Sequence, residues 1–97
     1  MAKGYWVTFY HSVSNPDALA EYARLAGPAI QGGGGKFLAR GLPTKTYEAS
    51  RNQRLVVIEF ESVEQAIRTH DSDAYRAAAK VLEGAAVRDI RIIEGAS

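Results

Sequence analysis

The sequence predicts an α+β fold in which strands and helices follow one another in the order βαββαβ. Three features predict it. Residues 5–13 alternate as in a strand, residues 55–58 form an unbroken Leu, Val and Ile run, and two stretches with apolar residues at helical spacing follow strand-like segments. Two successive βαβ halves give an antiparallel sheet with both helices on one face, which is the ferredoxin-like plait.

The first half of the chain begins with a strand and a capped helix. In Tyr5–Val13, aromatic residues occur in both alternating rows, so we expect both faces of this strand to be covered. Asn15 followed by Pro16 predicts a helix start, because an Asn side chain caps free backbone N–H groups and proline is favoured at the first helical position. Pro28 should kink or end this helix, since it removes a backbone donor.

Two strands follow, and the second of them is the predicted centre of the sheet. Residues 36–41 are expected to form one strand, and residues 46–49 a short extended piece after a loop. Leu55–Phe60 suits a central strand covered on both faces, because apolar side chains occupy both of its rows. Glu59 is the only carboxylate in this strand and lies on the face opposite Phe60.

The second half ends with a divided helix and a last strand. Ser62 and Gln65 have the spacing of a capping box, which opens a helix. The Asp-Ser-Asp sequence at 71–73 interrupts this helix, with Ser72 as a second cap. Residues 87–94 form the predicted last strand.

One face of the predicted sheet has no helix to cover it. On this open face we place four large apolar side chains, Trp6, Tyr10, Leu55 and Val57. Such a patch is too large to remain in water, because each fully buried large side chain is worth roughly 1.5 to 3 kcal/mol. We therefore predict a homodimer through the open sheet face.

The composition excludes several classes of protein. A chain of 97 residues suits one domain, residues 1–97, and a net charge of +1 without a basic cluster argues against a nucleic-acid partner. The absence of cysteine excludes disulfides, thiol catalysis and thiolate metal sites. No segment is long and apolar enough for a signal peptide or membrane span, so we expect no membrane partner and a cytoplasmic location.

The Gly-rich segment and the histidines predict neither a phosphate loop nor a metal site. A phosphate loop would need Gly at position 30 and Ser or Thr at 37, where the chain has Ile30 and Phe37. Residues 32–35 are therefore expected to form a flexible helix-to-strand turn. His11 and His70 have no sequence neighbour at ligand spacing, so no metal is expected.

Glu59 is the strongest candidate for a functional residue, because an ionised carboxylate in a core strand needs a partner or a function. Arg40 and Glu48 flank the neighbouring extended segments and could reach the same interior face. An internal salt-bridge network and a ligand site explain Glu59 about equally well from the sequence. His70 is predicted at a helix end, where the dipole favours its charge whether or not it does chemistry.

Several segments together resemble one protein family. In chain order they are Gly4-Tyr5-Trp6-Val7, residues 34–41, residues 57–62, Ser72-Asp73-Ala74-Tyr75 and Ile93-Glu94-Gly95. They resemble the family catalogued as domain of unknown function 1330, within the dimeric α+β barrel superfamily. The resemblance implies a ferredoxin-like subunit whose open sheet face packs against a second subunit, with a cavity between sheet and helices. Gly33 stands where this family usually has His, and Leu82 where it usually has Arg.

The first functional hypothesis is a protein that binds a small organic molecule in this cavity, or a cofactor-free enzyme similar to the monooxygenases and isomerases of related barrels. In an enzyme, Glu59 or His70 would transfer a proton and Arg40 would hold an anionic group. The other predicted ligand-binding residues are Trp6, Tyr10, Glu48 and Tyr75, and no cofactor is expected. A second hypothesis is a non-catalytic dimeric structural or regulatory module. A third is a haem-binding barrel with His70 as axial ligand.

Overall fold

The computed structural model describes residues 2–96 and confirms the predicted α+β fold. Four strands form one antiparallel sheet in the order β2-β3-β1-β4. The elements in chain order are β1 Gly4–Val13, α1 Pro16–Gly32, β2 Lys36–Gly41, β3 Leu55–Phe60, α2 Val63–His70, α3 Asp73–Leu82 and β4 Ala86–Glu94. The predicted second helix is divided into α2 and α3 at the expected interruption.

The pairing register decides which side chains lie beneath the helices. β1 pairs with β3 so that Trp6 is opposite Ile58, and directly opposed residues point to the same face of a sheet. Trp6, Ile58, Phe60 and Tyr75 are the largest fully buried side chains. The hydrophobic core therefore lies between this face of the sheet and the three helices.

The prediction that Trp6 and Tyr10 lie on the open face is wrong. They are only 1% and 3% exposed and belong to the helix-covered face, whereas Leu55 and Val57 are half-buried on the open face as predicted. Alternation within a strand fixes which residues share a row, but only the register between strands fixes which rows share a face. The β1 row on the open face is Tyr5, Val7, Phe9 and His11.

The open face keeps an apolar surface that no helix of this chain covers. Phe9 is 37% exposed and Ile93, which pairs with Tyr5 across β1 and β4, is 61% exposed. Val7 and Val57 are opposed at its centre. None of the helices in residues 2–96 combines the length and the apolar character needed to cross a membrane.

The predicted helix caps are all present. The Asn15 side chain accepts hydrogen bonds from the backbone N–H groups of Asp17 and Ala18. Ser62 and Ser72 cap α2 and α3 in the same way. These serines and the asparagine each satisfy backbone donors that have no partner within the helix.

Two local predictions need correction. Of the two outcomes predicted at Pro28, a kink or an end, the end is wrong, because helix α1 continues to Gly32. The Gln65 side chain does not complete a capping box, because its Nε2 donates a hydrogen bond of 2.8 Å to the Gly33 carbonyl oxygen. Gln65 thereby ties the start of α2 to the turn between α1 and β2, a contact between segments far apart in the chain.

The segment predicted as a short extended piece is a turn. Residues 46–49 include no strand, and Glu48 has a φ of +56°. Ser50 holds this turn, because its Oγ donates to the Tyr47 carbonyl oxygen at 2.6 Å and accepts from the Tyr47 N–H. Glu48 is consequently exposed on the β2–β3 loop rather than directed at the interior.

Candidate functional site

A crevice lies between the helix-covered face of the sheet and α1. Its apolar walls are formed by Trp6, Tyr10, Leu19, Tyr22, Phe37 and Ile58. It contains about 410 Å³ of space free of protein atoms, counted out to its open mouth. About 30 Å³ of this space admits the centre of a water molecule, which is room for about two waters. A larger ligand therefore has to displace side chains at the mouth, where Arg40 is exposed.

The crevice brings together some of the predicted site residues and leaves others out. Trp6, Tyr10 and Arg40 line it. Tyr75 lies directly behind the wall, where its ring meets the Trp6 ring edge-on at 4.8 Å between centroids. The predicted site residues Glu48, Glu59 and His70 do not line the crevice.

Glu59 lies on the open face of the sheet, so the expectation that it faces an interior cavity is wrong. Its carboxylate accepts a hydrogen bond of 3.0 Å from the Tyr5 hydroxyl. That bond, followed by burial, raises the pKa of Tyr5 above its ordinary value. Neither a Glu59–Arg40 nor a Glu59–Glu48 network forms among residues 2–96.

His70 is the last residue of α2, as predicted, and packs outside the crevice. Its ring lies 5.3 Å from both the Trp6 and the Tyr75 ring centroids, and its Nδ1 is 3.0 Å from an Asp71 carboxylate oxygen. These contacts are those of a partly exposed packing residue. Since His70 lines none of the recesses described in residues 2–96, its geometry gives no support to axial ligation of haem.

A polar cluster that was not predicted from the sequence lies at the inner end of the crevice. The hydroxyl oxygens of Tyr22 and Tyr75 are 2.7 Å apart. Arg88 donates a 3.0 Å hydrogen bond to each of them, one from each terminal nitrogen of its guanidinium. Its guanidinium carbon also lies 4.6 Å from the Tyr22 ring centroid. Arg88 on β4 thus connects Tyr22 on α1 with Tyr75 on α3 through hydrogen bonds to both hydroxyls.

Burial controls the ionisation of this cluster. Burial, followed by the neighbouring Tyr75, raises the pKa of Tyr22 well above its ordinary value. Burial also raises the pKa of Tyr10, against the opposing effect of the Arg88 charge. Burial alone would lower the pKa of Arg88, but the phenol oxygens of Tyr22 and Tyr75 outweigh it and the pKa is raised. The hydroxyls of Tyr22 and Tyr10 therefore stay protonated and the Arg88 guanidinium stays charged around neutral pH.

Two further arginines line the crevice. Arg54 precedes β3, and its Nε is buried without a hydrogen-bond partner among residues 2–96. Arg40 lies at the mouth, with its guanidinium carbon 4.5 Å from the Phe37 ring centroid. No aspartate, glutamate or histidine of residues 2–96 lines the crevice.

One sequence signal could have identified Arg88. It lies in the same row of β4 as Ile90 and Ile92, so it is a charge in an apolar row, which is the pattern that drew attention to Glu59. The register places Arg88 opposite Tyr10 on β1. Tyr22 and Arg54 carried no such signal, because their roles depend on long-range packing.

A second polar group lies on the open face, beneath the β2–β3 loop. Asp89 accepts from His11 Nε2 at 2.7 Å and from Arg91 Nε at 2.9 Å. The hydrogen bond with His11 is the main reason that the pKa of Asp89 is lowered. Within residues 2–96, no group of three His, Cys, Asp or Glu side chains is arranged to hold a metal ion.

Solved structures confirm the fold of the chain. A protein of unknown function from Rhodopseudomonas palustris, RPA0582, is 25% identical, with a TM-score of 0.67 over 96% of this chain and 80% of its own. A dimeric ferredoxin-like protein of unknown function from Thermobifida fusca is 14% identical, with a TM-score of 0.66 over 96% of this chain and 91% of its own.

An enzyme with this fold is also similar to the chain. SnoaB, a cofactor-independent oxygenase from Streptomyces nogalater, is 11% identical, with a TM-score of 0.63 over 100% of this chain and 96% of its own. An identity this low shows a shared fold and nothing about the reaction. No protein with a curated functional description matches the chain. The model of the family described as domain of unknown function (DUF1330) matches residues 3–96, and the chain therefore belongs to this family.

Proposed function

We propose that the protein binds a small organic molecule with a flat, apolar body in the crevice between the sheet and α1. The observation that carries this proposal is the composition of the crevice, whose walls are mainly aromatic and aliphatic and whose few polar groups converge at one end. This combination is typical of ligand sites, where apolar walls supply affinity and a few polar groups fix orientation. Movement of the exposed Arg40 side chain admits the ligand at the mouth.

Binding is a better-supported function than acid–base catalysis. The crevice is lined by phenols and guanidiniums, and neither group serves as a base at neutral pH when its pKa is raised. Glu59 and His70, the proton-transfer candidates from the sequence, lie outside it. A cofactor-free oxygenase is the second candidate, by analogy with SnoaB, which is similar to this chain in fold alone.

We also propose that the protein is a homodimer through its open sheet face. Val7, Phe9, Val57 and Ile93 form an apolar surface there that helices of the same chain do not cover. The similar Thermobifida fusca protein is described as dimeric. Each subunit, residues 1–97, forms one domain and keeps its own crevice on the side of the sheet away from the dimer contact.

Ligand-detected NMR tests the binding proposal. The probes are one- and two-ring aromatic compounds at millimolar concentration, among them 2-naphthol, 2-naphthoate and 2-naphthamide. Ala23 lines the crevice from α1, whereas Ala20 is exposed on the outer side of the same helix. We expect at least one probe to bind the wild type and the Ala20→Leu variant but not Ala23→Leu. Equal binding to Ala23→Leu, or no binding to the wild type, would refute the proposal.

A further inference from the structure

The polar groups that line the crevice are hydrogen-bond donors, and three of them are cationic. We infer that the ligand carries an oxyanion, such as a carboxylate or an enolate, on its apolar body, and that Arg88, Arg54, Tyr22 and Thr8 bind that oxyanion. This inference rests on the proposed function and specifies the class of ligand that the crevice accepts. Four independent features of the crevice support it.

The first feature is uncompensated positive charge. Arg40, Arg54 and Arg88 line the crevice, and no carboxylate of residues 2–96 lines it with them. Ion pairs within residues 2–96 engage Lys3, Arg24 and Arg91 among the cationic side chains, not these three arginines. Arg54 and Arg88 are half-buried, so their guanidiniums have lost part of their hydration and gained no opposite charge, whereas Arg40 is exposed at the mouth. An anion in the crevice supplies that charge.

The second feature is an unused buried donor. Arg54 Nε is the only buried side-chain nitrogen or oxygen within residues 2–96 that has no hydrogen-bond partner. Buried polar groups are nearly always paired, so an exception needs a specific explanation. Because Arg54 lines the crevice, a ligand oxygen there would satisfy this donor.

The third feature is the number of protons in the Tyr22–Tyr75–Arg88 cluster. Each phenol oxygen already accepts one hydrogen bond from Arg88, and the two hydroxyls share one contact of 2.7 Å. The two hydroxyls have one proton each, and only one of these protons can lie in the contact between them. The other proton has no acceptor within the cluster. Either hydroxyl could donate in this contact. Because Tyr22 lines the crevice and Tyr75 does not, we assign Tyr75 as the donor when a ligand is bound, which leaves the Tyr22 proton for the ligand.

The fourth feature is the hydroxyl of Thr8. Thr8 is 3% exposed and lines the crevice, and its Oγ1 accepts a hydrogen bond of 2.9 Å from Trp6 Nε1. Within residues 2–96 the Thr8 hydroxyl donates to no partner. Because Trp6 occupies the acceptor side of this hydroxyl, the donor side remains for a ligand.

An anion fits these features better than a neutral acceptor. A ketone or an ester oxygen could accept from Thr8 or Tyr22, but it would leave the guanidinium charges of Arg54 and Arg88 without a counter-charge. Hydrogen bonds between a guanidinium and an oxyanion are about twice as strong as neutral ones. The crevice should therefore discriminate by charge between ligands of the same shape.

Isothermal titration calorimetry with two probes of matched shape tests this inference. 2-Naphthoate and 2-naphthamide share the same ring system, and only the first carries a negative charge at neutral pH. We expect the carboxylate to bind at least about tenfold more tightly than the amide, with a preference that declines as salt is added. Equal affinities would refute the inference and leave the proposed function intact. If neither of these probes binds while 2-naphthol does, the inference is refuted and the proposed function stands; failure of every aromatic probe to bind would refute both.

Single-residue variants identify which hydrogen-bond donors of the crevice produce the preference for 2-naphthoate over 2-naphthamide. Arg88→Met removes one of the two guanidiniums assigned to the oxyanion and should reduce the preference for 2-naphthoate over 2-naphthamide, whereas Arg76→Met, on the exposed surface of α3, should leave it unchanged. Since loss of Arg88 also removes two hydrogen bonds of the fold, Tyr22→Phe and Thr8→Val are used as well. Each keeps the shape of the side chain, removes one donor and should weaken binding of the carboxylate more than binding of the amide. An unchanged preference in all three crevice variants would contradict the assignment.

Discussion

Arg88 connects the packing of the crevice to its chemistry. It joins β4 to α1 and α3 through two phenols, and it places a positive charge at the inner end of an apolar crevice. A guanidinium suits this position better than an ammonium, because its planar fork donates to two acceptors at once. The same geometry that joins the three elements would therefore also orient donors towards the proposed ligand.

The raised pKa of Tyr22 predicts a loss of stability at alkaline pH. In the unfolded chain a tyrosine ionises near pH 10, whereas burial keeps Tyr22 protonated in the folded protein to a higher pH. The folded state then holds a proton that the unfolded state has released, so the free energy of unfolding falls as pH rises above about 10, by up to about 1.4 kcal/mol per pH unit for one group.

Urea melts of the wild type and Tyr22→Phe across this pH range measure the effect. The variant lacks the ionisable group and should lose less stability between pH 9 and about 11 than the wild type. Tyr47→Phe, a change at a 72% exposed residue, serves as the control and should follow the wild type. If the free energy of unfolding fell equally with pH in the wild type and in Tyr22→Phe, a raised pKa of Tyr22 would be contradicted.

Glu59→Gln should have a small effect on the stability of the subunit. An amide oxygen can still accept the hydrogen bond of Tyr5, and no buried cation loses a partner, because Glu59 has Tyr5 rather than Arg40 beside it. Urea denaturation should give a shift in midpoint smaller than that of Ser62→Ala. A shift in the urea midpoint larger than that of Ser62→Ala would contradict this expectation. It would favour the internal salt-bridge network that the sequence offered as one explanation of Glu59.

The caps of the helices could be predicted from the sequence, because they depend on residues three positions apart. The Ser62 hydroxyl accepts from the Gln65 N–H at 3.1 Å, as the spacing indicated. The turn around Glu48 and the hydrogen bond from the Gln65 side chain to Gly33 were missed. The Gln65 bond joins segments 32 residues apart, and local patterns carry no information on such a contact.

Ser62→Ala tests the contribution of the cap to α2. Loss of the hydroxyl leaves the Gln65 N–H without its partner and should lower the free energy of unfolding by about 1 kcal/mol. Gln65→Ala leaves the cap in place and removes the contact with Gly33, and because Ser62 and Gln65 are in contact, the double variant measures how strongly the two losses are coupled. An unaltered denaturation curve for Ser62→Ala would show that the cap contributes nothing measurable.

The contact between Gly33 and Thr69 predicts a steric coupling between two elements. A Cβ on Gly33 would overlap the Thr69 side chain, although the Gly33 φ of −84° suits any residue. Gly33→Ala should therefore be destabilising, and Thr69→Ala in the same chain should recover part of the loss. Denaturant melts of the two single variants and the double variant measure the coupling.

Gly32→Ala is the matched control for this coupling. Gly32 is exposed at the end of α1, and nothing lies within 4 Å of a Cβ built there. Alanine in this helix should be neutral or stabilising by up to about 1 kcal/mol, because glycine loses more backbone entropy on folding. If Gly33→Ala were as well tolerated as Gly32→Ala, the steric contact with Thr69 would be disproved.

At the scale of the whole molecule, the sheet separates two surfaces with different roles. The helix-covered face carries the core and the crevice, and the open face carries the proposed dimer contact. A helix-covered face and an open face of the sheet could both be predicted from the sequence. Trp6 and Tyr10, however, were predicted on the open face and lie on the helix-covered face. Trp6, Tyr10 and Arg40, named from the sequence as candidate site residues, line the crevice, whereas Arg88 and Tyr22 meet only through tertiary packing.

Sedimentation at micromolar concentration tests the dimer. We expect the wild type to sediment as a dimer and Val7→Lys to sediment as a monomer, because a charge at the centre of the open face would be buried without a partner. Ala77→Glu, on the exposed side of α3, should remain dimeric. A wild-type protein that sediments only as a monomer would contradict the proposal.

The NMR signal of the Trp6 indole N–H tests the central claim, binding in the crevice, most directly. Trp6 is the only tryptophan of the chain, so its indole gives one signal, and this N–H donates to Thr8 within the crevice. Titration with 2-naphthoate should shift this signal in the wild type and leave it unchanged in Ala23→Leu. A saturating titration that moves other signals of the wild type while the Trp6 indole stays fixed would place the ligand elsewhere and contradict the account.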